Sequence, residues 1–375
     1  MNVKNKPMDA IVIGAGQAGL ACGWHLQQQN LRFLILDAES QPGGNWRNYY
    51  DSLRLFSPAA YSSLPGMPFP AEAKHYPLRD EVVDYLERYA NTFQLPIRQN
   101  IRVQKVCRED GVFLLQASDG QRFCSKALIV CTGGFNQPFI PDIQGLESFS
   151  GQRLHSADYR NVDGFSDQRV VVIGAANSAV QIAHELAQVS SVVLATRESI
   201  RFFPQKILGV DFHAWLKWTG VEKTRWLNDQ STPVLDDGTY RRAMKQGLFE
   251  RKPMFTQVTS TGVLWADGQH TEVDSLIFAT GFRPNLGFLA GLHMGANGNL
   301  AQRNGQAEHI PGLYFVGLPK QRNFSSATLR GVGPDASHII PSLMRFIHDA
   351  SSMNDPLREL QSGQDEQAQH RPNML

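Results

Sequence analysis

The chain has little cysteine, no excess of either charge and no long apolar run among its 375 residues. Its four cysteines, Cys22, Cys107, Cys124 and Cys131, include no C-x-x-C pair. That spacing argues against a disulfide framework, a zinc cluster and a thioredoxin-like dithiol, and favours scattered, buried, reduced thiols. Lys and Arg total 36 against 35 Asp and Glu, a formal charge of +1, so neither nucleic acid nor an anionic membrane surface is an expected partner. No run of about 18 apolar residues occurs, and Met1 to Asp9 lacks a signal-type apolar core. A cytoplasmic protein without a membrane span is the expectation. None of the eleven histidines forms an H-x-x-x-H pair, and no haem or metal site is expected. What is present is 42% hydrophobic and 19% charged, the composition of a packed chain long enough for two domains.

One unit occurs twice. The apolar run Ala10 to Ile13 leads into Gly14-Ala15-Gly16-Gln17-Ala18-Gly19, a helical stretch, and a second apolar run, Phe33 to Leu36, that ends on Asp37. Strand, glycine turn, helix and strand make a mononucleotide-binding βαβ unit. Gly14 permits the tight turn, Gly16 lets a pyrophosphate approach the backbone, and Gly19 allows close helix–strand packing. Asp37, 23 residues after Gly14, is placed to accept ribose hydroxyls. The second unit runs from Val170 to Ile173 through Gly174-Ala175-Ala176-Asn177-Ser178-Ala179, a helix carrying Ile182, Leu186 and Val189, and a strand Val192 to Ala195. Ala176 replaces the middle glycine, and its methyl narrows the approach of a pyrophosphate. At the position equivalent to Asp37 stands Arg197, preceded by Thr196. An Arg and a hydroxyl suit a 2′-phosphate that a carboxylate would repel, although a solvated surface Arg is the competing reading. Two dinucleotide sites in one chain point to a flavin plus a nicotinamide.

Four further segments carry a family resemblance. Phe149-Ser150-Gly151-Gln152-Arg153-Leu154-His155-Ser156-Ala157-Asp158-Tyr159 resembles the F-x-G-x-x-x-H-x-x-x-[YF] signature of flavin-containing monooxygenases, where Baeyer–Villiger enzymes end in Trp. Phe278-Ala279-Thr280-Gly281-Phe282 resembles their F-A-T-G-[YF] linker, and Gly43-Gly44-Asn45-Trp46 their G-G-x-W loop. Thr132-Gly133-Gly134, after the strand Leu128 to Cys131, resembles their first crossover. The segment Asp51 to Pro58 is similar to compact bacterial members, including sulfide-oxidising and arsenic-resistance-associated ones, and plant auxin-forming monooxygenases share the layout.

The resemblance implies an α/β fold of two Rossmann-like domains, the NAD(P)-binding one inserted into the FAD-binding one. The implied divisions are 1–160 and 282–350 for FAD and 161–281 for NAD(P); by its Gln-, Asp-, Ser- and Pro-rich composition, 351–375 reads as a polar, flexible tail. FAD contacts are expected at Gly14, Gly16, Gln17, Gly19, Asp37, Gly44, Asn45, Trp46, Val103, Thr132, Gly133 and Gly317. NAD(P) contacts are expected at Gly174, Asn177, Ser178, Thr196, Arg197, Thr280 and Gly281, with NADPH favoured and NADH use left open. The implied cycle passes hydride from the nicotinamide to flavin N5, adds O2 at C4a, and delivers oxygen from the peroxyflavin to a soft nucleophile. A sulfide is the first candidate, then an amine, with ketones by Baeyer–Villiger reaction. Small-molecule substrate and O2 are thus the expected partners.

No catalytic residue is assigned; Phe56, Ser57, Trp46, Tyr61 and Asn323 are pocket candidates, and His155 is read as a structural part of the signature. Phe56 stands near the position of an Asn that, in animal and methylotroph members, hydrogen-bonds the flavin and nicotinamide. A phenyl ring cannot make that bond, which implies a shorter-lived oxygenated intermediate and more wasted NAD(P)H. Two alternatives stay open: a flavin reductase or oxidase of the same architecture, and a nucleotide-binding redox regulator. The region Phe202 to Met254, with Trp215, Trp218 and Trp226 in a helical pattern, reads as an insertion that walls the site or offers aromatics to a homodimer contact.

Overall fold

The computed structural model describes residues 6–224, 233–292 and 301–353. The run MDAIVI forms the strand Met8–Ile13, whose last four residues are all buried. A strand apolar on both faces belongs inside a parallel sheet covered on both sides, and it pairs in parallel with Phe33–Leu36 and Arg122–Val130. These three are central to a nine-stranded sheet that also takes in Ile97–Arg98 at one edge and Gln302–Arg303, Gln306–Ala307 and Leu313–Phe315 at the other. A meander, Val103–Glu109 and Val112–Ala117, joins it antiparallel beside Arg122–Val130. Helix α1 (Gln17–Gln28) buries Leu20, Ala21, Cys22 and Leu26, sharing one core with helix α2 (Arg79–Thr92) and the C-terminal helix Leu329–Met353.

The second sheet has five strands in the order Glu250–Pro253, Ser191–Thr196, Arg169–Ile173, Ser275–Phe278 and Gln152–His155, all parallel. Helix α3 (Asn177–Leu186) packs on it through Ala179, Val180, Ile182, Ala183 and Leu186. The helix stops before Val189, short of the reach expected from the apolar spacing, because a turn from Val189 N–H to the Leu186 carbonyl feeds the strand at Ser191. Gln152–His155 pairs with Ser275–Phe278, so the second sheet takes in residues ahead of position 161. Cys131 lies just beyond Arg122–Val130 but still donates its N–H to Ile13 O at 2.8 Å.

The insertion is more broken than its tryptophans suggest. Phe202–Pro204 pairs with Val234–Asp236, Lys206–Ile207 with Val210–Asp211, and helix α4 (Phe212–Thr219) carries Trp215 and Trp218. Trp226 and the tail from 354 onward lie outside the described residues. No helix among the described residues is long and apolar enough to cross a membrane.

Candidate active site

Both glycine turns open onto one cavity of about 1430 Å³, larger than the ~300–1,000 Å³ typical of a pocket for one small ligand. Helix α1 begins after Gly16 and α3 after Ala176, and neither N-cap residue supplies a side-chain cap. Gly16, Gln17 and Ala18 line the cavity from one turn, and Ala176, Asn177 and Ser178 from the other. Each helix therefore presents uncapped backbone N–H groups and the positive end of its dipole to the same space.

The three glycines of the first turn have different constraints. Gly14 has φ +103°, and a Cβ there would stand 2.7 Å from the Cys131 carbonyl oxygen. A Cβ on Gly19 would stand 1.8 Å from the Gly14 carbonyl oxygen, so this residue serves helix–strand packing and does not line the cavity. Gly16 is extended, with nothing nearer its Cβ position than Gly44 Cα at 3.7 Å. Only Gly16 is bare without a steric need inside the protein, and its open side is a cradle that a Cβ would begin to fill. Ala176 adopts nearly the same backbone (φ −100°, ψ −178°, against −73° and −174°). The alanine leaves the second turn's shape intact and adds only a methyl.

Asp37 ends the strand Phe33–Leu36, 4% exposed, and lines the cavity. Its carboxylate accepts the N–H groups of Ala15 and, at 2.8 Å, Glu39. Burial pushes its pKa up against the pull of these bonds. Gln17 ties three segments together, accepting the Trp46 indole N–H at 2.7 Å and donating to the Ala327 carbonyl at 3.1 Å. Gly44, Asn45, Trp46, Val103, Thr132, Gly133 and Gly317 complete this side of the lining. The Thr132 hydroxyl is buried there with no hydrogen-bond partner. A cradle, an orphaned hydroxyl and an uncapped helix beside a carboxylate fit the pyrophosphate and ribose of a dinucleotide.

On the second side Gly174, Asn177, Ser178, Arg197, Thr280 and Gly281 line the cavity. Thr196 does not, contrary to the expectation that it would flank a phosphate beside Arg197. Its side chain is buried, donating to the Glu198 carbonyl at 2.6 Å and accepting Arg251 Nε–H at 2.8 Å. The exposed groups beside Arg197 are instead Glu198, Ser199 and Arg201. His155 ties its own signature segment to the Phe278–Phe282 linker: its Nε2–H donates to Gly281 O at 3.0 Å and Nδ1 accepts Ala157 N–H at 3.1 Å. Both nitrogens are used in one neutral tautomer, and burial lowers the pKa.

Of the pocket candidates, Trp46, Phe56 and Ser57 line the cavity, while Tyr61 and Asn323 do not. Tyr61 stacks on His213 behind the wall, and the Asn323 side chain is consumed by the Ser325 N–H and hydroxyl in a local turn. The wall also takes in Leu55, Phe324, Leu329 and Arg330, brought together from opposite ends of the chain and not singled out in the sequence, although Leu55 lies within the Asp51 to Pro58 segment. Also unmarked was Tyr50, whose hydroxyl donates to Gln181 Oε1 at 2.6 Å across the two sheets' domains. The cysteines are less scattered than their spacing implies: Cys22 and Cys131 Sγ lie 3.7 Å apart, both buried and unbridged. Burial pushes the Cys131 thiol pKa up, which keeps it protonated.

Residues 11–317 match the family described as pyridine nucleotide-disulphide oxidoreductase. The chain belongs to that family. A CzcO-like oxidoreductase of Geobacillus kaustophilus is 34% identical over 350 residues, covering 90% of this chain and 98% of the relative. The indole-3-pyruvate monooxygenase YUCCA4 of Oryza sativa is 29% identical, covering 91% and 88%. Among solved structures, a flavin-containing monooxygenase from Stenotrophomonas maltophilia superposes with a TM-score of 0.81 at 33% identity, covering 91% of this chain and 99% of that one. This pyridine nucleotide oxidoreductase is therefore an enzyme of the flavin-monooxygenase type, with two Rossmann-type domains.

Proposed function

We propose that the enzyme binds FAD at the first turn and NADPH at the second, and uses O2 to oxygenate an apolar soft nucleophile, a thioether before an amine, with a ketone, an electrophile, as the Baeyer–Villiger alternative. The observation that carries this reading is the pair of uncapped helix N-termini on one cavity, with Asp37 beside the first and Arg197 beside the second. The flavin would supply hydride acceptance and oxygen activation, and the nicotinamide would supply the hydride. The protein's share is binding, orientation and exclusion of water. The α1 N-terminus and Gly16 hold the flavin pyrophosphate, and Asp37 accepts ribose hydroxyls. The α3 N-terminus holds the nicotinamide pyrophosphate, and Arg197 pairs with a 2′-phosphate. Leu55, Phe56, Phe324 and Leu329 give the remaining wall its apolar character and keep water from the reacting atoms. Arg330 lines the same wall, with its guanidinium ion-paired to Glu222.

The Stenotrophomonas relative, named a flavin-containing monooxygenase and matched along nearly its whole length, supports the oxygenase reading over a plain reductase. The absence of a C-x-x-C pair from the sequence weighs against transfer of electrons to a disulfide. Anaerobic titration of the purified holoprotein with NADPH tests the two-site reading. Bleaching of the oxidised-flavin band is expected, and a protein that carries no flavin or does not bleach would contradict it.

A further inference from the structure

Phe56 faces the cavity, yet what fixes its ring comes from the insertion. The Phe56 and His213 rings lie 6.0 Å apart, 19° from parallel, and Tyr61 stacks on the same imidazole at 6.1 Å and 29°. Offset stacks of this kind hold aromatic rings in one relative orientation. His213 is 1% exposed and does not line the cavity, so it has no route to touch substrate. Its own ring is held from behind. Nδ1 lies 3.0 Å from Asp211 Oδ1, which also caps α4 by accepting the His213 N–H at 2.7 Å. The other Asp211 oxygen accepts the Tyr76 hydroxyl. A carboxylate only accepts, so Nδ1 carries the proton and the imidazole plane is set by Asp211.

The insertion reaches the cavity wall at two more points. Its small apolar cluster, Phe212, Leu216 and Leu235, is completed by Phe56 and Phe324. Glu222 ion-pairs with Arg330, and its carbonyl accepts the Phe324 N–H at 3.2 Å. The wall of the cavity and the core of the insertion are one packing unit, in which His213 makes the ring-to-ring contact with Phe56.

We propose that His213 is the positioning residue for Phe56, so that the 202–254 insertion sets substrate selectivity through one aromatic stack. The inference rests on the reading of this cavity as the oxygenation site. It is tested with 4-fluorophenylalanine placed at position 56 in full-length holoenzyme, read by fluorine NMR alongside kinetics with methyl phenyl sulfide. In His213→Ala the fluorine resonance should shift and broaden. The KM for the sulfide should rise about three- to tenfold, the worth of one aromatic pair, while the KM for NADPH and the flavin content hold. His213→Phe, which keeps a ring in the stack, should restore a single sharp resonance and most of the sulfide affinity, and Asp211→Asn should fall between. An unchanged fluorine spectrum in His213→Ala, or equal rises in both KM values, would overturn the proposal. If the unsubstituted enzyme oxygenates no thioether, the functional reading fails while the fluorine spectra still decide whether His213 holds Phe56.

Discussion

Gly16→Ala and Gly19→Ala look equivalent in the G-x-G-x-x-G motif, and the structure predicts opposite failures for them. A methyl on Gly19 would sit 1.8 Å from the Gly14 carbonyl oxygen, and since backbone is what it meets, the turn must move. Overpacking of this kind costs about 1–3 kcal/mol, and more where backbone cannot yield. A methyl on Gly16 meets nothing nearer than 3.7 Å, on a residue whose φ is −73°. Stability of the apoprotein should hold or rise by about 0.4–1 kcal/mol, from the smaller entropy of the unfolded chain. The damage from Gly16→Ala should fall on FAD, because the methyl enters the space between the pyrophosphate and the α1 N–H groups. Losing one hydrogen bond to a charged group, about 1.5–3 kcal/mol, weakens binding roughly 10- to 150-fold. Thermal unfolding of the two apoproteins, with FAD titration followed by flavin fluorescence, separates the effects. Equal destabilisation of both apoproteins, or wild-type FAD affinity in Gly16→Ala, would refute the division of labour.

At the second turn, where the backbone matches that of Gly16, Ala176→Gly should cost at most about 0.4–1 kcal/mol of stability, the reverse of the entropy gain at Gly16, and lower the KM for NADPH; a KM that does not fall would show that the methyl is harmless. Arg197→Ala should raise the KM for NADPH about tenfold or more and leave that for NADH nearly constant, and equal effects would show that Arg197 does not read a phosphate. Burial lowers the pKa values of His25, His155 and His213 below 6.5. As pH falls through 6.5, the unfolded histidines take up protons that the folded ones refuse, so stability is present above that value and declines below it. Chemical denaturation between pH 7.5 and 5.5 should show this slope, with a shallower one in His155→Gln; a flat profile would contradict the burial of these rings.

The parts of this enzyme legible in sequence are those where one local signal suffices. Ala10 to Ile13 and Val170 to Ile173 are short apolar runs closed by glycine, and each is a central strand. The glycine spacing then locates the helix N-termini, and the count to Asp37 and Arg197 reaches two residues that line the cavity. Thr196 went astray because, as the last residue of the strand Ser191–Thr196, it has its hydroxyl held by the Glu198 carbonyl and the Arg251 guanidinium and buried away from the cavity. The apolar wall was illegible for a different reason. Leu55 and Phe56 meet Phe324 and Leu329 only through the packing of the C-terminal segment and the insertion, a long-range contact that no periodicity encodes. Asn323, one of the pocket candidates, closes its own turn with its short side chain, a use that Asn commonly finds in loops.

The central claim is tested most directly by the fate of oxygen. The FAD-loaded enzyme is given NADPH and methyl phenyl sulfide under oxygen-18 gas, and the sulfoxide is analysed by mass spectrometry. One labelled oxygen atom per sulfoxide is the predicted result. NADPH consumed with hydrogen peroxide released and no labelled sulfoxide, amine oxide or ester from any offered sulfide, amine or ketone would contradict the claim and make the enzyme an oxidase.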